Sequence, residues 1–191
     1  MELQHINVKL FLDQSPGLGL WDVVPVFHSW IQDQNWDELL IDVADYRHVN
    51  GGPGIVLVGH EADYSIDYDE NRVGIRYNRK SIVPGTNQDR LRHAFRAAFR
   101  TCGRLEADRR LKDRFRFGRR EMKLFVNDRL LVPNLESSYE SIEPEIKRFL
   151  EGLLGGIEFS ISREEDSKRV FGLTVMTAQD FDVKKLLERL A

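Results

Sequence analysis

The 191-residue sequence holds one cysteine, so no internal disulfide can form, and the cysteine-rich zinc modules and disulfide scaffolds are excluded. A chain of this length buries enough surface to fold without such staples. No apolar run approaches the roughly 20 residues that a membrane-spanning helix requires; Ile55-Val56-Leu57-Val58 is among the longest. The opening Met1-Glu2-Leu3-Gln4-His5 has no basic region, no long apolar region and no glycine after Met1. The expectation is therefore a soluble cytoplasmic protein without signal peptide, lipid anchor or membrane association. Catalytic signatures are lacking as well. There is no Gly-x-Ser-x-Gly elbow, no phosphate loop ending in Gly-Lys-Ser/Thr and no His-Glu-x-x-His. The reading leans away from an enzyme and calls for no cofactor.

Net charge is also nearly lacking, at −3, but its distribution is uneven. Residues 1–89 sum to −8, residues 90–123 to +9 and residues 124–191 to −4. One basic block lies between two acidic flanks, and 11 of its 13 cations are arginine. At 41% hydrophobic and 10% aromatic, the composition is that of an ordinary globular chain.

Periodicity places the elements. Ile6, Val8, Leu10 and Leu12 alternate with Asn7, Lys9 and Phe11 as a strand that Ser15-Pro16-Gly17 ends. Asp22 is positioned to cap a helix to about residue 34, with Pro25 in its first turn and Val24, Phe27 and Ile31 as its apolar stripe. His28 lies near that stripe and reads as a core histidine. Strands follow at Leu39–Tyr46 and Ile55–Val58, then a hairpin that alternates through Tyr64, Ile66 and Tyr68 and through Val73, Ile75 and Tyr77. Thr86 and Asp89 have capping-box spacing for a helix over about 87–109, with Leu91, Phe95, Ala98, Cys102 and Leu105 on its apolar stripe. Cys102 is thus expected as a buried, inert thiol. Met122, Leu124 and Val126 alternate toward a turn at Asn127-Asp128, with Arg129–Val132 as the returning strand. Ser141 is a candidate cap for a helix ending at Gly155-Gly156, with Pro144 in its first turn. Another hairpin, over 157–163 and 169–176, and a helix over about 180–190 complete the chain.

These elements predict an α+β fold of about eight strands, mostly antiparallel, with about four helices on the sheet faces. Residues 1–191 read as one domain, with 1–112 and 113–191 as candidate lobes. Tyr64-Ser65-Ile66-Asp67, Arg72-Val73 and Thr86–Asp89 are echoed by Phe159-Ser160-Ile161-Ser162, Arg169-Val170 and Thr177–Asp180. That echo suggests two pseudo-repeated halves.

Three groups of residues are candidates for chemistry. On a helical wheel started at Leu91, Arg92, Arg96, Arg100 and Arg104 lie at roughly 100–220°, opposite the apolar stripe. Arginine forks suit phosphate and carboxylate, and Phe115 and Phe117, interleaved with Arg114 and Arg116, have the pattern of base-stacking side chains. Asn50-Gly51-Gly52-Pro53-Gly54 is the second group. Its glycines Gly51, Gly52 and Gly54 would let backbone N–H groups approach a ligand, but the loop enters a strand and lacks the helix N-terminus of a phosphate loop. His60, Glu61 and Asp63 form the third group, as metal ligands or an acid–base set.

The leading expectation is a protein-binding or self-associating domain, a homodimer included, motivated by charge complementarity between residues 61–70 and 90–123. The alternative is a site for a small acidic or phosphorylated ligand between the Gly51–Gly54 loop, His60/Glu61 and the arginine helix. Nucleic-acid binding through residues 90–123 ranks third, since the sequence pI is about 6.0 and no complete nucleic-acid motif is present.

Overall fold

The computed structural model describes residues 1–13, 20–111 and 114–191, with Leu20 and Glu70 described by their backbone alone. The Ser15-Pro16-Gly17 turn, Lys112 and the boundary between the candidate lobes lie outside the described residues. In chain order the elements are β1 (Ile6–Leu12), α1 (Val24–Asp33), β2 (Leu40–Asp45), β3 (Ile55–Gly59), β4 (Ala62–Asp67), β5 (Gly74–Arg79), α2 (Asn87–Ala107), β6 (Phe117–Val126), α3 (Glu136–Leu154), β7 (Phe159–Arg163), β8 (Phe171–Thr177) and α4 (Val183–Arg189). The fold is α+β, as the hairpin signals predict.

The eight strands form one antiparallel sheet ordered β2-β3-β4-β5-β1-β6-β8-β7. β1 pairs with β5 through Val8↔Tyr77 and with β6 through Val8↔Leu124, and so joins the earlier strands to the later ones. β4-β5-α2 and β7-β8-α4 follow the same element order on either side of this junction. The four helices share one face. Ile6, Val8 and Leu10, Leu57, Tyr64 and Ile66, Ile75 and Tyr77, Met122 and Leu124, and Leu173 and Val175 pack there with the helices' apolar residues. α2 contributes Leu91, Phe95, Ala98, Cys102 and Leu105, and its capping box is formed: Thr86 Oγ1 accepts from the Asp89 N–H while Asp89 Oδ2 accepts from the Thr86 N–H.

The alternate residues point to the face that carries no helix among the described residues. Several are nevertheless buried there: Asn7, Lys9 and Phe11 on β1, Ser65 and Asp67 on β4, Phe125 on β6. Cations roof this layer. Arg72 stacks 3.7 Å from the Phe11 ring and Arg76 lies 5.1 Å from Phe125. Lys9 Nζ donates to Asp67 Oδ1 and to the Arg72 carbonyl at 2.9 Å, with the Arg76 guanidinium 3.7 Å from Asp67 Oδ2. Burial pushes the Lys9 pKa down, against the pull of Asp67. β1 is thus buried on both faces, where alternation alone implied one.

Other expectations are corrected. Asp22 does not cap α1. A 3-10 turn, Leu20–Val23, precedes the helix, Val23 is the N-cap without a side-chain bond, and Asp22 pairs with Arg114 at 2.5 Å. The buried face of α1 is Val26, Phe27 and Trp30, and His28 is exposed. Residues 129–132 form turns, not a strand, and α3 starts at Glu136, ahead of Ser141. Pro144 consequently sits inside α3, on an exposed position where the carbonyl it leaves unbonded meets water.

Lys9→Met leaves the Asp67 carboxylate buried without its ammonium. The variant is expected to lose about 3–5 kcal/mol of unfolding free energy. The double variant Lys9→Met/Asp67→Leu should recover most of it in urea denaturation. An equally large loss in the double variant would show that packing, not charge pairing, sets the cost.

Candidate functional site

A cleft of about 620 Å3 opens on the helix-bearing side of the sheet, near the edge formed by β2 and β3. Its walls come from the segment Trp36–Leu39 between α1 and β2, the β3–β4 turn at His60-Glu61, Tyr64 on β4, Arg79 at the end of β5, and His93, Arg96, Ala97 and Arg100 on α2.

The first wall is fixed by Glu38. Its Oε2 accepts from the N–H groups of Glu61 (2.6 Å) and Ala62 (2.9 Å), and its Oε1 accepts from the Tyr64 hydroxyl at 2.7 Å. One carboxylate thereby ties the 36–39 segment to the β3–β4 turn. Gly59 makes this approach feasible, since a Cβ there would lie 2.5 Å from both the Ala62 carbonyl oxygen and Glu38 Oε2. Trp36 stacks on Trp30 with centroids 4.9 Å apart and meets Tyr64 edge-on at 5.2 Å. Burial, reinforced by the Glu38 charge, raises the Tyr64 pKa and keeps it a neutral donor.

The opposite wall is α2. The wheel spreads the four arginines over about 120°, and that spread separates their roles. Arg92 is exposed and does not line the cleft. Arg104 stacks over the Trp36 ring at 4.5 Å. Arg100 Nη1 donates to Asp37 Oδ2, a bond that holds the Asp37 pKa below the usual carboxylate range. Arg96 lines the cleft with no hydrogen bond or ion pair among the described residues.

At the inner end, Arg79 is fully engaged. Its Nη2 donates to Glu61 Oε2 at 2.5 Å, its Nε to the Ser81 carbonyl at 3.0 Å, and its Nη1 lies 3.4 Å from His93 Nε2. Glu61 also accepts from the Ser81 hydroxyl, and this bond, followed by Arg79, keeps its pKa low. Burial and then the Arg79 charge lower the His93 pKa from the usual 6.5, so the ring is neutral at pH 7 and free to accept from Arg79.

The structure separates what the sequence reading had grouped. The Gly51–Gly54 loop precedes β3, whereas His60 follows it, so Gly54 and His60 lie about 20 Å apart along the strand. Gly51, Gly52 and Gly54 do not line the cleft. They build a turn: Gly51 and Gly54 have φ of +67° and +69°, Gly52 N–H donates to Val49, and a Cβ on Gly54 would lie 2.1 Å from the Ile66 carbonyl oxygen. His60 is exposed, 3.5 Å from Glu61, while Asp63 pairs with Lys80 at 2.7 Å on a different group. Among the described residues no three His, Cys, Asp or Glu side chains gather as a metal site.

The basic block is compensated over much of its length. Arg110 pairs with Asp108, Arg114 with Asp22, Arg119 with Glu106 and Arg120 with Asp180. Phe115 and Phe117 are 2% exposed, so neither stacks on a base. Nor do the acids of 61–67 await the arginine helix: Glu61, Asp63 and Asp67 are held by Arg79, Lys80 and Lys9. Trp36, Asp37, Glu38, Arg79 and His93 were not foreseen as site residues. The spacing of His93, Arg96 and Arg100, three and seven residues apart, is the one sequence signal that could have joined them.

No known family model matches the chain, and no curated protein matches it in sequence.

The lowered His93 pKa ties the cleft to stability. Above pH 6.5 the ring is neutral both folded and unfolded, and its contribution is constant. As pH falls through 6.5 the unfolded chain takes up the proton first, so stability falls until the lower folded pKa is passed. His93→Gln should flatten this fall when urea midpoints are compared from pH 8 to pH 5. A slope identical to wild type would show that His93 does not carry it.

Proposed function

We propose that the chain is a binding protein for a small molecule bearing an acidic group, a carboxylate or a phosphate, taken up in the cleft between α2 and the 36–39 segment. The observation that carries this reading is the state of two adjacent arginines. Arg96 faces the cleft with no hydrogen bond and no ion pair among the described residues, and shares the field of Asp37 with Arg100. Arg100, one turn further, has Asp37 as its one ion-pair partner among the described residues, and the Asp37 side chain is 74% exposed. An ion pair so open to water contributes roughly 0–1 kcal/mol, and a ligand anion replaces the Asp37 carboxylate at little cost. Arg104 supports the pair from behind by clamping Trp36. Leu39, which is exposed, and Ala97 line the same cleft and offer contact to the ligand's less polar part.

Self-association is a weaker reading, because Glu61, Asp63 and Asp67, three of the acids that motivated it, are held within the chain. Nucleic-acid binding loses its stacking residues to the core and much of its basic block to local carboxylates.

Thermal denaturation tests the proposal with inorganic phosphate, monocarboxylates, amino acids and phosphorylated alcohols, each against sodium chloride at equal ionic strength. Some members of the panel should raise the melting temperature of the wild type. Arg96→Gln should weaken their binding by about ten- to a hundredfold, the worth of a charge-assisted hydrogen bond. Arg92→Gln, on the same helix but outside the cleft, should leave it unchanged. No shift with any member, or equal loss in both variants, would overturn the reading.

A further inference from the structure

The charges that line the cleft balance, and they are not evenly matched within it. Three arginines (Arg79, Arg96 and Arg100) face three carboxylates (Asp37, Glu38 and Glu61). Arg79 is consumed by Glu61, and Arg100 is met by Asp37. Two charges are left over. Arg96 forms no ion pair, since Asp37, whose charge it feels, bonds Arg100 instead, and Glu38 has no cation within ion-pair distance among the described residues. Glu38 is stabilised instead by three neutral donors: the N–H groups of Glu61 and Ala62 and the hydroxyl of Tyr64. Hydrogen bonds from neutral groups orient a carboxylate without removing its charge. Three bonds also leave part of the roughly four acceptor sites of a carboxylate available. Glu38 and Arg96 belong to opposite walls, the β3–β4 side and α2.

We infer that the ligand is zwitterionic, with its acidic group on Arg96 and Arg100 and a protonated amine on Glu38. This rests on the proposed ligand-binding reading and narrows its ligand class. A polyanion would meet three carboxylates in a cleft of zero formal charge and would be repelled by whichever of them it did not displace. A simple monoacid would satisfy Arg96 and leave Glu38 as it is. A molecule with one acidic and one amino group answers both residual charges and adds no net charge to a balanced cleft. An amino acid and an aminoalkyl phosphate both have this chemistry. His93 lines the same cleft: it shares the α2 wall with Arg96, three residues on, and its ring feels the charges of Glu38, Asp37 and Glu61.

Matched probe pairs that differ only in the amine test the inference by calorimetry: butyrate against 4-aminobutyrate, propionate against β-alanine, and ethyl phosphate against phosphoethanolamine. In at least one pair the amine should tighten binding to the wild type by about tenfold, the worth of one charge-assisted contact. Glu38→Gln keeps a carbonyl oxygen for the turn amides. It should bring the affinity ratio of the amino probe to its partner down to about one, whatever it does to the affinity of the partner itself. The wild-type comparison is decisive even if Glu38→Gln fails to fold. If the acids bind and the amine adds nothing in every pair, the inference is overturned while the binding reading stands. If the amine helps but Glu38→Gln keeps the full preference, the assignment to Glu38 is overturned. Binding by no member of any pair overturns the inference together with the reading beneath it.

Discussion

The buried contact between Lys9 and Asp67 is the constraint on which the sheet depends. Lys9 lies on β1, the strand that β5 and β6 both pair with, and its ammonium reaches across β5 to the end of β4. Its further bond to the Arg72 carbonyl pins the loop between β4 and β5 over the same spot. A charged pair in this position adds little net stability, since desolvation offsets most of the attraction. What it contributes is specificity. A strand apolar on both faces could pair in either register, whereas one that must deliver an ammonium to one carboxylate has a single register. The helix-free side of the sheet needs this, because cationic side chains, not a packed helix, cover Phe11 and Phe125.

With β1 placed, the cleft follows from topology. β5 lies beside β1 and ends at Arg79, and α2 crosses back over both. α2 is held at its start by the Thr86–Asp89 capping box and along its length by Leu91, Phe95, Ala98 and Cys102. These positions leave His93, Arg96 and Arg100 turned toward the β3–β4 turn. The remaining wall is brought in by the tryptophan stack on α1 and fastened by Glu38. No two walls are neighbours in sequence.

This explains which features were legible in the sequence. Period-two and helical apolar patterns identified the hairpins, α2 and its cap, because those patterns record which side chains face the core. They also put the four arginines on the outer side of α2. They failed where tertiary context overrides local signals. Asp22 looked like a cap but pairs with Arg114, 92 residues away. Pro144 looked like a helix start, yet lies where a missing N–H is cheap. Phe115 and Phe117 looked like stacking residues but fill the core. The cleft itself was only half legible. Arg96, Arg100, His60 and Glu61 stood out as charged groups. Trp36-Asp37-Glu38 carries no periodicity and no motif, and its role exists only because Gly59 lets the segment touch the β3–β4 turn. The glycine loop stands apart from the cleft, and positive φ at Gly51 and Gly54 with a close backbone approach at Gly54 gives it a structural role as a turn.

The same reasoning separates structural charge from functional charge. A net charge of −3 and a basic block of +9 are sums, and sums cannot distinguish a compensated arginine from a free one. Partner by partner, the block dissolves: Arg110, Arg114, Arg119 and Arg120 each have a carboxylate, and Arg104 has a tryptophan face. Such pairs are spread over the surface and do not line the cleft. A charge that lines a concavity and has no partner is different. Its field is not cancelled nearby, and the walls around it displace water that would otherwise screen it. Arg96 and Glu38 are the lining charges that form no ion pair among the described residues, and they are of opposite sign. A dipolar cleft of this kind selects by charge arrangement more than by total charge, so a neutral molecule with separated charges fits it better than a strongly acidic one.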